Sequence, residues 1–151
     1  HVTTAFPEVR LKRYLEMRGA DAGPWRRICA LPALWVGLLY DHAALDAAWD
    51  LVKDWTQEER GYLRAEVPRQ GLRTPFRGRP LQEFAREMLR IARAGLRARR
   101  RLDRSGEDES GFLSALEEIA ETGITPAEAL LDAYHGRWGG SVDPVFRELA
   151  Y

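Results

Sequence analysis

A single cysteine, three histidines and the absence of any long uncharged stretch set limits on this sequence before any motif is read. With Cys29 alone an internal disulfide is excluded, and such sparing use suits a reducing compartment. His1, His42 and His135 share no metal-ligand spacing, so nothing reads as a zinc site. The longest run without charge, residues 28–40, has 13 residues, too few to cross a bilayer as a helix, and no membrane role is expected. Net charge is absent too. Lys+Arg and Asp+Glu balance at 23 each, which gives no overall argument for nucleic acid. No Gly-rich phosphate loop of the Walker or dinucleotide type occurs, and no serine or cysteine sits in a nucleophile motif. Neither an initiator methionine nor a signal peptide opens the chain, and with one strand and few other alternating segments the sequence reads as a piece of a longer protein.

What remains is a 151-residue chain, 45% hydrophobic and 30% charged, the size and composition of one globular domain. The charge balance hides an asymmetry. Residues 105–151 carry two arginines against ten acids, a formal −8, which leaves +8 for residues 1–104. The arginine run at 97–104 would attract phosphate backbones if it stood alone, but Glu107, Asp108 and Glu109 follow it, and a solvated helix end with no nucleic-acid role is the better reading.

The chemistry concentrates near the N-terminus. From Val9 to Arg18, Val9, Leu11, Leu15 and Met17 alternate with Arg10, Lys12, Tyr14, Glu16 and Arg18, the pattern of a strand with two unlike faces, broken at Arg13. Glu16 and Arg18 then point the same way, about 7 Å apart. That pair can hold a metal and a phosphate, or it can belong to an ion-pair lattice on a solvated sheet face.

Helices follow. Gly19, Gly23 and Pro24 mark a turn that Asp21 can close through its side chain. The segment 25–40 is apolar nearly all round, so it should be buried on several sides, and Pro32 predicts a kink or break. Arg26 and Arg27 in its first turn, where the macrodipole favours acids, are candidates for gripping an anion or for pairing with carboxylates of a neighbouring segment. Cys29, within it, is by default a small buried hydrophobe. Asp41 should cap a helix over 42–55 with Leu45, Ala48, Trp49 and Val52 inward. Thr56 and Glu59 form a capping box for a helix that should stop at Pro68. Residues 70–80, rich in Gly, Pro and Arg, read as a surface loop. The apolar stripe Leu81, Phe84, Ala85, Met88, Leu89, Ala92 and Leu96 predicts a long amphipathic helix to about residue 102. Short helices are expected over 110–122, with Phe112, Leu113, Leu116 and Ile119 inward and Gly123 as cap, over 125–135, with Pro126 at the first helical position, and at the end of the chain. Gly136 to Gly140 reads as a flexible loop, and the five tryptophans as core. The fold class is α+β, mostly helical.

Three long blocks carry more information than any of these spacings. Phe6-Pro-Glu-Val-Arg-Leu-Lys-Arg-Tyr-Leu-Glu-Met-Arg-Gly-Ala-Asp21, Gly23-Pro-Trp-Arg-Arg-Ile-Cys-Ala-Leu-Pro-Ala-Leu-Trp-Val-Gly-Leu-Leu-Tyr-Asp41 and Trp138-Gly-Gly-Ser-Val-Asp-Pro-Val-Phe146, with Gly71-Leu-Arg-Thr-Pro-Phe76 between them, resemble the plant and alphaproteobacterial type of glutamate–cysteine ligase. The resemblance runs through the whole chain and places it in that family's C-terminal third. It implies one portion, residues 1–151, of a larger catalytic domain with a glutamine-synthetase-like antiparallel-sheet funnel, to which this chain would add about one strand (9–18) and packed helices. It implies an ATP- and Mg²⁺-dependent reaction in which the γ-carboxylate of glutamate is phosphorylated and the amine of cysteine attacks the acyl phosphate.

In that picture Glu16 is a magnesium ligand and Arg18 a catalytic cation, roles that suit phosphoryl transfer, which depends on positioning and on cations over developing oxyanion charge. Arg26 and Arg27 are weaker candidates for binding substrate phosphate. Cys29 matches a cysteine that plant-type members can join to one far upstream, a redox role. The implied partners are glutamate, cysteine, ATP and the missing N-terminal part, with a homodimer as the assembly considered. The arginine-rich, lysine-poor composition suggests a bacterial, cytoplasmic member. Two alternatives stay open: another glutamate–amine ligase of the same superfamily, and a non-catalytic helical binding module.

Overall fold

Two helices that cross at glycine organise the molecule. In the computed structural model, which describes residues 8–20 and 23–150, α1 (Trp25–Leu39) and α4 (Leu81–Arg99) lie against each other at Gly37 and Gly95. A Cβ on Gly95 would stand 1.9 Å from the Gly37 carbonyl oxygen, and one on Gly37 would stand 2.3 Å from that of Ala92. The backbones themselves touch there. Around this crossing Ala33, Leu38, Ala44, Leu89, Ile91, Ala92, Leu96, Leu113 and Ala120 form the buried core, drawn from α1, α2 (His42–Val52), α4, α5 (Ser114–Thr122) and the 3₁₀ turn Glu109–Leu113.

The expected amphipathic stripe of α4 is the one buried, with Ile91 and Gly95 added to it. Helix α1 departs from expectation. It runs through Pro32 without a break and buries Ala30, Ala33, Gly37 and Leu38, while Trp25 and Ile28 stay exposed. Pro32 removes the hydrogen bond to the Ile28 carbonyl, yet the helix continues to its C-terminal end, where Tyr40 N–H donates to the Val36 carbonyl. Among the described residues no single helix is long and apolar enough to cross a membrane, and the axis turns by 94° between α1 and α2.

Local capping signals hold as read. The Asp41 carboxylate accepts from Ala44 N–H at 2.9 Å. Both capping boxes close: Thr56 with Glu59 at the start of α3 (Gln57–Gln70), and Thr125 with Glu128 at the start of α6 (Pro126–His135), where Pro126 is the first helical residue. Gly123 ends α5 with φ of 71°. Packing assignments fared less well. On α2 the buried residue is Ala44, and Leu45 and Trp49 face outward. Helix α3 continues through Pro68 to Gln70 and buries nothing completely. Of the four residues expected inward over 110–122, Leu113 is fully buried and Leu116 packs against the core, whereas Phe112 is exposed, and Ala115 and Ala120 are the completely buried residues of α5. Trp138 is buried and its Nε1 donates to Glu148 at the end of α7 (Val145–Glu148), so residues 136–140 are anchored rather than flexible.

Residues 70–80 also differ from a surface loop. After the 3₁₀ turn Gly71–Arg73 the chain forms a two-stranded hairpin, Pro75–Phe76 with Arg79–Pro80, around Arg77 and Gly78, both at positive φ. Thr74 and Phe76 are buried, and the Phe76 ring meets Trp55 and Phe84 edge-on at 4.9 and 5.3 Å between centroids. Arg77 is what ties the turn down. Its guanidinium donates to both Glu59 carboxylate oxygens, at 2.6 and 2.7 Å, and to the Asp54 carbonyl. The Arg77 hydrogen bond, with the Thr56 N–H and the neighbouring cations, holds Glu59 down at about 2. A carboxylate lowered by folding adds stability above its unfolded pKa of about 4.5 and loses it as pH falls toward 2. We expect a carbon-detected titration of Glu59 to show a midpoint near 2, and Arg77→Gln to move it up toward the ordinary carboxylate value.

The N-terminal segment is the main correction to the topology. In place of one strand over 9–18, β1 (Val9–Leu11) and β2 (Leu15–Met17) pair antiparallel, with Val9 opposite Met17, Arg10 opposite Glu16 and Leu11 opposite Leu15. The chain reverses at Lys12, Arg13 and Tyr14, the place where the alternation fails. Asp21, expected to close the following turn, lies outside the described residues.

Candidate functional site

The hairpin keeps the two-faced pattern while changing who stands beside whom. Directly opposed residues of an antiparallel pair project to the same side, so Val9, Leu11, Leu15 and Met17 make one face, and Arg10 and Glu16 share the other. On that polar face Arg10 Nε lies 2.6 Å from Glu16 Oε2, Lys12 Nζ 3.7 Å from Oε1, and Arg18 Nε 3.7 Å from Oε2. One carboxylate thus gathers three cations. The Arg10 hydrogen bond, helped by the charges of Arg10, Lys12 and Arg18, keeps Glu16 ionised below the usual carboxylate range. The base of the hairpin closes with Arg18 N–H donating to the Glu8 carbonyl at 2.8 Å, and the Glu8 carboxylate reaches Arg64 of α3 at 3.6 Å.

Glu16 and Arg18 are therefore neighbours, as the spacing predicts, but Arg10 is the closest partner of Glu16 and was not foreseen. A continuous strand would hold residues 10 and 16 about 20 Å apart. Only the failure of alternation at Arg13 hinted at the reversal that joins them. The other candidates lie elsewhere. Arg26 Nη2 binds the Glu118 carboxylate of α5 at 3.2 Å, both side chains exposed, the pairing with a neighbouring segment considered from sequence. Arg27 folds back over the Gly23 backbone, its Nε within 3.4 Å of where a Cβ would sit there. Cys29 is a half-buried free thiol at the edge of a shallow groove with Pro32, Val36 and Phe112. Of the basic run, Arg99 reaches Glu109 at 3.4 Å and Arg97 reaches Asp108 at 4.0 Å, so the positive helix end folds against the acids that follow it.

A magnesium ion needs several oxygen ligands in near-octahedral array. Among the described residues no group of three metal-ligating side chains converges, and the one carboxylate of the hairpin's polar face already faces three cations. These residues do not by themselves make a magnesium site.

Comparison with known proteins decides what the hairpin belongs to. The profile of glutamate-cysteine ligase family 2 matches residues 1–148. The chain is a member of that family. It is 60% identical over all 151 residues to the chloroplastic glutamate–cysteine ligase of Arabidopsis thaliana and 58% identical to that of Nicotiana tabacum, in each case covering 28% of the relative. It is 55% identical to the chloroplastic glutamate–cysteine ligase B of Oryza sativa subsp. japonica, covering 29%. The chain thus spans less than a third of the length of the curated relatives it matches. These family members correct one expectation outright: they are chloroplastic plant enzymes, so the bacterial cytoplasmic assignment falls. It rested on an arginine-for-lysine bias, which reports residue usage and carries no address.

Proposed function

We propose that this chain is the C-terminal portion of an ATP-dependent ligase that joins the γ-carboxylate of glutamate to the amine of cysteine through an acyl phosphate, the first step of glutathione synthesis. What carries the reading is the family match over residues 1–148, together with Glu16 and Arg18 side by side on one polar face. In the complete enzyme this segment would form one wall of a glutamine-synthetase-like sheet funnel. There Arg18 would lie over oxygens of the transferring phosphoryl group, where a fixed cation lowers the barrier as charge shifts to the leaving phosphate. Glu16 would orient Arg18 and offer a single hard oxygen ligand toward magnesium, which neutralises phosphate charge when bound; the other ligands would come from the rest of the enzyme. Arg26 and Arg27 are secondary candidates for phosphate, and Cys29 for redox control.

The test is a chimera in which this chain replaces the matching 28% of the tobacco enzyme. The chimera is expected to release ADP in a manner dependent on both glutamate and cysteine, and the isolated chain to release none. ADP release by the isolated chain, or a folded chimera without turnover, would overturn the reading.

A further inference from the structure

Helices α2 and α4 and the hairpin of residues 75–80 border an open cavity of about 560 Å³ that shares no residue with the Glu16 hairpin. That volume lies in the range of small-molecule sites. Its floor is apolar, made by Leu51, Phe84 and Ile91, of which Phe84 and Ile91 are buried. Phe84, Glu87 and Ile91 reach one wall because they recur at i, i+3 and i+7 along α4. Across the Phe84 ring lies the Arg79 guanidinium, 3.8 Å from the ring centroid. Two carboxylates hold it there, Glu83 at 3.7 Å and Glu87 at 3.3 Å. Phe84 thus covers one face of a planar cation that is fixed before any ligand arrives, and the other face is available to a flat group entering the cavity.

The charged residues of the lining are not equally occupied. Arg77 is bound to Glu59 and to the Asp54 carbonyl, Arg79 to Glu83 and Glu87, and Asp50 to Lys53 at 2.7 Å. Arg90 alone has no hydrogen bond or ion pair with any described residue. Three arginines against Asp50 and Glu87 leave the lining a formal +1. One negative charge balances it. A doubly charged phosphate would meet repulsion from Asp50 and Glu87 instead.

We propose that this cavity binds an aromatic monocarboxylate, its ring stacked on the Arg79 guanidinium above the apolar floor and its carboxylate paired with Arg90. Each part of the ligand has a counterpart in the lining. The flat ring answers the Arg79 and Phe84 stack, the apolar body answers Leu51 and Ile91, and the carboxylate answers the guanidinium left without a partner, a pairing that accepts two parallel hydrogen bonds. The site is independent of the assigned ligase reaction, since neither Glu16 nor Arg18 takes part in it.

The probe is 2-naphthoate, titrated into the 151-residue chain while the Ile91 methyl and the Arg79 and Arg90 side-chain N–H signals are followed by two-dimensional NMR. Saturation is expected with a midpoint below about 1 mM, the affinity that ordinary ligand efficiency gives a molecule of about 13 non-hydrogen atoms. Uncharged 2-naphthamide is expected to bind at least fivefold more weakly. Arg90→Gln should weaken 2-naphthoate at least fivefold while leaving the melting temperature unchanged, because the side chain it replaces is exposed and unpaired. Arg79→Lys, which keeps the charge and removes the plane, should weaken it at least threefold. The same midpoint, within twofold, is expected in the tobacco chimera. Failure to saturate by about 10 mM, equal binding of 2-naphthamide, or full affinity in Arg90→Gln would overturn the proposal. Tighter binding of AMP than of 2-naphthoate would overturn it too, since the site would then prefer a doubly charged phosphate. Binding that the isolated chain shows and the chimera lacks would do the same, because the rest of the enzyme would then occupy the cavity. A chimera that binds 2-naphthoate as expected yet has no ligase activity would refute the assigned reaction and leave this site standing.

Discussion

Gly95→Ala is expected to destabilise the protein by about 3 kcal/mol, although alanine is the better helix former. The physical conflict is between propensity and space. Replacing an interior helical glycine by alanine contributes about 1 kcal/mol in favour of the helix. Here the added methyl would stand 1.9 Å from the Gly37 carbonyl oxygen and 2.9 Å from the Ala44 Cβ, and the first of these neighbours is backbone that cannot rotate away. Relief requires α1 and α4 to separate by an ångström or more, and the same movement opens the contacts of Leu96, Leu89, Ala33 and Leu38 across the crossing. Overpacking of a close-packed core costs roughly 1–3 kcal/mol and more where backbone is the obstacle, so the packing loss exceeds the propensity gain. In a chain of this length that corresponds to a fall in Tm of about 6–12 °C. Gly61→Ala is the matched control. Gly61 lies in α3 with no neighbour within 4 Å of its would-be Cβ, and there the propensity gain should appear alone, as a small rise in Tm. Thermal unfolding of the two variants followed by circular dichroism decides it. If Gly95→Ala melts with or above the parent, the backbone contact of α1 and α4 is not real.

In the active chimera, Glu16→Gln and Arg18→Gln are each expected to lower kcat by about 10²–10³, the usual effect of removing a group that stabilises developing charge. A purely structural ion pair predicts something else. The Glu16 side chain is partly open to solvent among Arg10, Lys12 and Arg18, and exposed ion pairs contribute little to stability. Melting should therefore be unchanged in both variants, so that a large fall in kcat without a fall in Tm assigns the pair to catalysis. Arg10→Gln distinguishes the two possible services of Glu16. If the carboxylate acts mainly by orienting cations, loss of its nearest partner should cost nearly as much as loss of Glu16 itself. If Glu16 turns toward a metal in the complete enzyme, its bond to Arg10 must be given up, and Arg10→Gln should change kcat less than tenfold. Wild-type kcat in the Glu16→Gln chimera would remove the assigned role.

How much of this was legible in the sequence depends on the distance over which each feature is determined. Asp41 over Ala44, Thr56 with Glu59, Thr125 with Glu128, and Gly123 after α5 were all readable, because each is a hydrogen bond or a backbone angle settled within about four residues. The stripe of α4 was readable because a 3.6-residue repeat sustained over 19 residues admits one burial face. Family membership was readable in long blocks of residues for the same reason that those blocks are specific.

The pairings between distant segments were decided by the tertiary structure. Whether residues 9–18 continue or reverse depends on what they pair with, and reversal at Lys12 to Tyr14 put Arg10 against Glu16, six residues away in sequence. Phe76, in a stretch whose Gly, Pro and Arg content reads as surface, is buried because Trp55 and Phe84 arrive beside it. Gly37 and Gly95 are ordinary helix interruptions until α1 and α4 meet at both. Helix α1 shows the division most clearly. Its composition determined that it needs cover on several sides, whereas the crossing with α4 decided that, among the described residues, the Ala33 side is buried and Trp25 and Ile28 stay exposed, because a helix can bury only the faces that other elements reach.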